Sequence, residues 1–284
     1  MLRNTFCHVK GVGPKTETRL WESGIETWDQ ATEPEALPVT APLAERIARL
    51  ADESEQKLYE GDHGWFYELL PGGEEWRLFR EFRDSVVYLD IETTGLGHKY
   101  DQITSIALYD GHEIRHYVHD DNLDQFPADV DDYGIIVTYN GKLFDIPFIR
   151  EYFGIELGQP HIDVRFLLNR LGVKGGLKVC ERQLGMDRGE LDDVDGFFAV
   201  ALWEDYREND NPHALETLLA YNVTDAVNLE TLMVTAYNMR VRQTVFGLRH
   251  EIAVPVSPES PFTPHTPTIK RLKRRVRSRY LEER

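Results

Sequence analysis

Residues 85–92 are apolar up to a pair of carboxylates at the end, the pattern of a strand buried on both faces. Two more strand-like runs, 103–109 and 113–119, flank Asp110-Gly111, a dipeptide that supplies the positive φ angles of a tight hairpin. An apolar run at 134–139 and a short one at 162–164 predict two further strands. Helical spacing appears at 146–153, 165–171, 177–184, 203–207, 214–221 and 224–240. A hairpin leading into strand–helix units predicts a mixed sheet with helices on its faces, an α/β fold spanning about 80–250.

The segments on either side read differently. In 1–75 the spacing is helical, with Leu20, Trp21 and Ile25 on one apolar face. Before it, Val9-Lys10-Gly11-Val12-Gly13-Pro14-Lys15 resembles the hairpin of a helix-hairpin-helix DNA-binding motif. Paired glycines allow the turn, backbone amides at the next helix start can meet a phosphate, and Lys10 and Lys15 add charge. Too few residues precede the turn for a full first helix, so a helical module that merely packs on the main domain is the other reading. In 251–284, Pro255, Pro258, Pro261, Pro264 and Pro267 recur every third residue, matching the turn of polyproline II. That predicts an extended linker holding a basic tail away from the body, where it would grip nucleic acid or a partner protein, or simply be solvated.

The charge balance at first argues against nucleic acid: 49 acidic residues against 32 basic give −17. Its distribution changes the picture. Lys270, Arg271, Lys273, Arg274, Arg275, Arg277, Arg279 and Arg284 oppose only Glu282 and Glu283, leaving the tail about +6 and the remainder about −23. Lysine is scarce, with nine against twenty-three arginines. Such an acidic, lysine-poor composition resembles proteins of salt-accumulating microbes, and molar salt, with a Debye length of about 3 Å, would erase long-range repulsion from nucleic acid. The alternative is an ordinary acidic protein.

Other classes are set aside more directly. No apolar run approaches the roughly 20 residues that span a bilayer, and the N-terminal stretch lacks a signal-peptide core. The expectation is a soluble, cytoplasmic protein with no membrane partner. Cys7 and Cys180 allow one disulfide but no secreted disulfide framework. Neither belongs to a CxxC pair, which argues against structural zinc, and Cys7-His8 reads as local packing.

The chemistry concentrates in three segments. In Val86-Val87-Tyr88-Leu89-Asp90-Ile91-Glu92-Thr93-Thr94-Gly95-Leu96, period-two geometry puts Asp90 and Glu92 on one side of a strand. Two like charges there repel unless a cation neutralises them, which suits a hard ion such as Mg²⁺ or Mn²⁺. The second segment, Ile136 to Phe148, runs from a strand through Asn140-Gly141-Lys142 to a helix start carrying Asp145. Asn140 would fix the turn or touch a substrate strand; Phe144 and Phe148 read as core. The third, Tyr221-Asn222-Val223-Thr224-Asp225, sits at the join of two helical segments, with Tyr221 one turn before Asp225. Asp90, Glu92, Asp145 and Asp225 supply the ligand types for two metal ions about 3.5–4 Å apart.

In that order DIETTG, NGKLFDIPF and YNVTD resemble the three motifs of the DEDD class of RNase H-like 3′→5′ exonucleases, over roughly 84–240. They are similar to the exonuclease domains of family B DNA polymerases and closer to the stand-alone YprB-type RNase H-like family. Ala220 stands where one subclass has histidine, whereas Tyr221 matches the tyrosine subclass. The resemblance implies an RNase H-like fold and two Mg²⁺ or Mn²⁺ ions. Asp90, Glu92 and Asp225 would hold one ion, Asp90 would also reach the second, and Asp145 would act through water or at that second site. Tyr221 would orient the attacking water, and the product would be a nucleoside 5′-monophosphate. The partner would be DNA or RNA, the motifs not choosing the sugar. Rival readings are a structure-selective endonuclease and a non-catalytic nucleic-acid-binding protein. Thr93, Asn140, Lys142, His161, Lys10 and Lys15 are secondary candidates for nucleic-acid contact, with Lys178 a further phosphate candidate. Asp163 is either a carboxylate supporting the ligands or a strand end satisfied by backbone. His98, His112, His116 and His119 read as surface residues.

Overall fold

The structure, a computed structural model, describes residues 1–96, 100–192 and 194–282, the last seven by backbone alone. His98, Glu283 and Arg284 therefore lie outside the described residues, as do the side chains of Arg277, Arg279 and Glu282. Among the described residues no helix is long and apolar enough to cross a membrane.

Three helices come first: α1 (Pro14–Glu22), α2 (Ala41–Glu60) and α3 (His63–Leu69). Only a short 3-10 turn, Leu2–Asn4, precedes the glycine turn ahead of α1. Leu20, Trp28, Ile47 and Phe66 are fully buried, and they share one core with the strand residues Val86 and Tyr88 and with Val234 and Tyr237 further on. Arg77 fastens this region from within. Its guanidinium donates to both carboxylate oxygens of Glu17 on α1, at 2.9 and 3.0 Å, and to Glu74 at 2.7 Å. Glu17 also accepts the backbone N–H groups of Phe6 and Cys7. Cys7 and Cys180 are both free and buried, so the disulfide that two cysteines allowed is not formed.

His8 lies in this core among Trp28, Trp65 and Phe66. The Ser54 hydroxyl donates to Leu50 O, so it accepts from His8 Nε2, 2.9 Å away. Burial, assisted by the charge of Arg77, lowers the imidazole from its usual 6.5 to about 4. Between those values the unfolded chain takes up a proton that the folded chain refuses. His8 therefore contributes stability above pH 6.5 that is lost as the pH falls toward 4, at about 1.4 kcal/mol per pH unit. Replacing His8 by Gln is expected to flatten the urea midpoint's pH dependence across this window; an unchanged slope would refute the assignment.

The sheet has five strands: β1 (Val86–Thr93), β2 (Ile103–Tyr109), β3 (Ile114–Val118), β4 (Ile135–Thr138) and β5 (His161–Asp163). Their order is β3-β2-β1-β4-β5, with β1–β2 and β2–β3 antiparallel and β1–β4 and β4–β5 parallel. A mixed sheet of this kind flanked by helices is the RNase H-like α/β fold that the three motifs implied. Short helices punctuate it: α4 (Phe126–Val130), α5 (Asp145–Phe153), α6 (Val164–Arg170) and α7 (Leu177–Gln183). Val87, Leu89 and Ile91 pack with Phe126 and Ile149 on the α4–α5 side. Val86 and Tyr88 face the opposite core, and strand alternation puts Asp90 and Glu92 on that same face.

Two long helices close that face, α8 (Gly196–Asn209) and α9 (Pro212–Val241). At 30 residues α9 is about 45 Å long, and most of its side chains are buried. It corrects the expectation of two helical segments meeting at Tyr221–Asp225. The helix runs through without a break, and its polar residues find partners: Thr224 donates to Ala220 O within the helix, and Asn222 bonds across to the sheet.

The C-terminal segment is a second correction. Instead of standing off as an arm, it ends in α10 (Thr266–Glu282), which lies on α8. Ile269 and Leu272, three apart, are buried there, and Arg271 pairs with the buried Asp205. The proline segment also lies on the body, with Phe262 edge-on to His116 at 4.8 Å.

Candidate active site

β1 brings Asp90 and Glu92 to the face that α9 covers, and Asp225 comes from the middle of α9. A carboxylate oxygen from each lies within 4.8 Å of the others. A register shift in β1 between Glu92 and Thr93 marks the end of regular pairing with β2. Glu92 and Asp225 are buried and Asp90 is partly so. Asp145 stands outside this trio but close to it. It opens α5, where its charge suits the positive end of the helix, and its carboxylate faces the backbone of Ile91, between Asp90 and Glu92.

The electrostatics of four acids in one place follow directly. Burial, and then the charges of Asp225, Glu92 and Asp145, hold the Asp90 carboxyl well above its usual range. Glu92 is raised by burial and by Asp225 and Asp145. Asp145 is pushed to about 7, chiefly by burial. Asp225 is raised by burial despite the opposing charge of Arg188.

Around the acids runs a frame of polar side chains. Ser105, paired with Glu92 in the β1–β2 ladder, donates to Asn222 Oδ1 at 2.9 Å. Asn222 Nδ2 in turn donates to Asp90 Oδ2 at 2.7 Å and to Asp90 O at 3.1 Å, which fixes the Asp90 rotamer. Arg188 binds both oxygens of the fully buried Glu181, which also accepts from Asn228 at 2.8 Å. The same guanidinium contacts Asp225 and lies 5.7 Å from the Tyr221 ring centre. Arg188 Nη1 and Asp225 Oδ1 form a buried ion pair at the edge of the acid cluster.

Tyr221 is buried beside the carboxylates, and Lys178 Nζ lies 5.2 Å from its ring centre. Burial and the surrounding acids hold its hydroxyl protonated far above its ordinary range. A cluster of hard carboxylate oxygen donors that repel one another fits a hard divalent cation.

The RNase H superfamily's sequence pattern matches residues 87–237, from β1 almost to the end of α9. The chain belongs to the RNase H superfamily. That membership supports a nuclease-type activity, and the Asp90–Glu92–Asp225 cluster gives this RNase H fold a place for metal. Among solved structures, the chain is similar to the family B DNA polymerase from the hyperthermophilic archaeon Pyrobaculum calidifontis. The identity is 15% and the TM-score 0.41, over 63% of this chain and 31% of the polymerase, so the match spans under a third of that protein's length. No curated protein matches the chain.

The secondary candidates scatter. Thr93 is buried and donates to Gly95 O. His161 corrects the idea of a phosphate contact: it is buried, lowered to about 3 chiefly by burial, and shares a 2.8 Å hydrogen bond with Thr138. Asp163 accepts the backbone N–H groups of Asn140, Lys142 and Arg165, the backbone-satisfied alternative. Lys142 reaches Glu75 at 3.3 Å, and Asn140 accepts from Arg165. Lys10 and Lys15 are exposed on the N-terminal helical module, outside the acid cluster. Phe144 and Phe148 pack against the core beside β1. Of the described histidines read as surface, His112 is exposed, and His116 and His119 are half-buried against aromatic rings.

Sequence reasoning missed Arg188, Glu181, Asn222 and Asn228. Asn222 carried a signal, a carboxamide three residues before Asp225 on an otherwise apolar helix face. Arg188 carried none, since it lies in irregular chain between α7 and α8.

Proposed function

We infer that this chain is a metal-dependent nuclease that hydrolyses single-stranded DNA or RNA from a 3′ end. The observation that carries the reading is the convergence of Asp90, Glu92 and Asp225, with Asp145 and Tyr221 alongside, in a chain of the RNase H superfamily. Asp90, Glu92 and Asp225 would hold one Mg²⁺ or Mn²⁺, and Asp145 with Asp90 a second. Bound there, such ions lower the pKa of the attacking water and neutralise charge on the phosphodiester. The protein's own groups do the rest. Asn222 holds Asp90 in place, and Glu181 holds Arg188 beside Asp225. Tyr221, kept protonated by burial and by the acids around it, acts as a hydrogen-bonding guide for water rather than as a base.

The test uses labelled DNA and RNA strands with free or blocked 3′ ends, at low and molar KCl, with Mg²⁺ or Mn²⁺. Mononucleotide release that needs metal and a free 3′ end is expected. Cutting that ignores the block would make the protein an endonuclease, and binding without cleavage would make it a non-catalytic binder. Tyr221→Phe is expected to lower kcat by about 10- to 100-fold with little change in KM, because only the orientation of water is lost. Wild-type kcat in this variant, on a steady-state time course, would remove Tyr221 from the mechanism.

A further inference from the structure

The turn after β4 and the loop before α7 flank an open-mouthed cavity of about 570 Å³. Its lining includes Tyr139, Asn140, Arg165, Asn169, Lys174 and Gly175. In a chain with 49 acidic residues against 32 basic ones, this cavity has two cations, two carboxamides and no carboxylate in its lining. The adjoining acid, Asp163, is turned into the backbone N–H groups of Asn140, Lys142 and Arg165. A lining of cations and amides, with the adjoining carboxylate turned away into backbone donors, suits an anion.

The walls are built rather than incidental. The Tyr139 hydroxyl donates to Gly175 O at 2.7 Å, tying the two sides together, and Gln183 donates to Lys174 O at 3.0 Å. Gly175 has φ +140°, and a Cβ there would fall 2.7 Å from Val179, so the loop takes this path only with glycine. Asn140, also in the lining, turns the chain at φ +67° and accepts from the Arg165 guanidinium.

Both walls lead to the acid cluster. Asn140 is five residues before Asp145, and Leu177 immediately precedes Lys178, whose ammonium lies against Tyr221. A volume of this size falls within the roughly 300–1,000 Å³ typical of ligand sites.

We propose that this cavity binds a phosphodiester of the single strand entering the active site, with Lys174 and Arg165 pairing its charge. The proposal rests on the nuclease reading for the identity of the strand, but its binding test does not require cleavage.

The measurement is the affinity of a fluorescent single-stranded oligonucleotide for the full chain in a chelator, across a range of KCl. Lys174→Glu is expected to weaken binding by about tenfold and to reduce the slope of log affinity against log salt by about one. Lys57→Glu, the same charge change on α2, serves as the control and is expected to alter affinity less than twofold. Asn169→Lys, which adds a cation to the lining, is expected to tighten binding about threefold. Equal losses in Lys174→Glu and Lys57→Glu, or no loss in Lys174→Glu, would overturn the proposal. Should Lys174→Glu fail to fold, unchanged affinity in Asn169→Lys would overturn it instead. Hydrolysis of a nucleoside 5′-(p-nitrophenyl phosphate) by the wild-type protein with Mn²⁺ tests the acid cluster separately. That ester has no second phosphate to reach the cavity, so its failure would count against the nuclease reading alone.

Discussion

Asp90→Asn is expected to reduce metal-dependent cleavage by at least about 10³-fold while making the metal-free protein more stable. The two effects have one cause. Asp90 sits among Glu92, Asp225 and Asp145, and burial together with their charges raises its carboxyl pKa in the folded chain. A carboxyl raised on folding destabilises the native state as the pH climbs past its unfolded value of 3.8, because the native site resists ionisation. Removing that charge relieves the repulsion, while the amide oxygen still accepts from Asn222. A gain of about 1–3 kcal/mol, or several degrees in Tm, is reasonable for one relieved buried charge. The same charge is what a divalent cation would use, so Mg²⁺ should raise the Tm of the wild-type protein more than that of the variant. Calorimetry with chelator and with saturating Mg²⁺ reads both. Equal metal-induced shifts, or wild-type turnover in the variant, would rule out Asp90 as a ligand.

Arg77→Met is expected to cost about 3–5 kcal/mol, because it strands Glu17 in the core without its cation. Glu17 is 2% exposed, and its carboxylate is shared between Arg77 and the N–H groups of Phe6 and Cys7. Glu17→Gln in the same chain keeps an oxygen for those N–H groups and removes the unpaired charge. The double variant should therefore recover about half of the loss or more, as read by urea midpoints. If the double variant is as unstable as Arg77→Met alone, the burden lies in lost packing against Trp21 and Trp76 rather than in a stranded charge.

How much of this could be read from the chain depended on whether a feature was periodic. The strand ending in Asp90 and Glu92 was legible because an apolar run with acids two apart has few other uses. The Asp110-Gly111 hairpin was legible for similar reasons, and β2 and β3 flank it as expected. Continuity of α9 was not, since Asn222, Val223 and Thr224 are each weak helix formers and the bonds that hold Asn222 in place are tertiary. Docking of α10 was hidden too. Ile269 and Leu272 are too short a stripe to announce a buried face, and the partner that decides it, Asp205, lies 66 positions upstream. Arg188 is the extreme case. Its role depends on Glu181, Asp225 and Tyr221 meeting in space, and none of them marks it in sequence.

The N-terminal helices share their core with residues from near the other end of the chain. Trp21 packs edge-on against Phe246, and Arg249 reaches Glu26 across 223 positions. During synthesis at about 5–20 residues per second, Glu26 therefore waits about 10–45 s before its partner emerges from the ribosome. Throughout that interval Trp21 lacks its covering ring, and the nascent chain carries an unfinished apolar surface for a chaperone to shield.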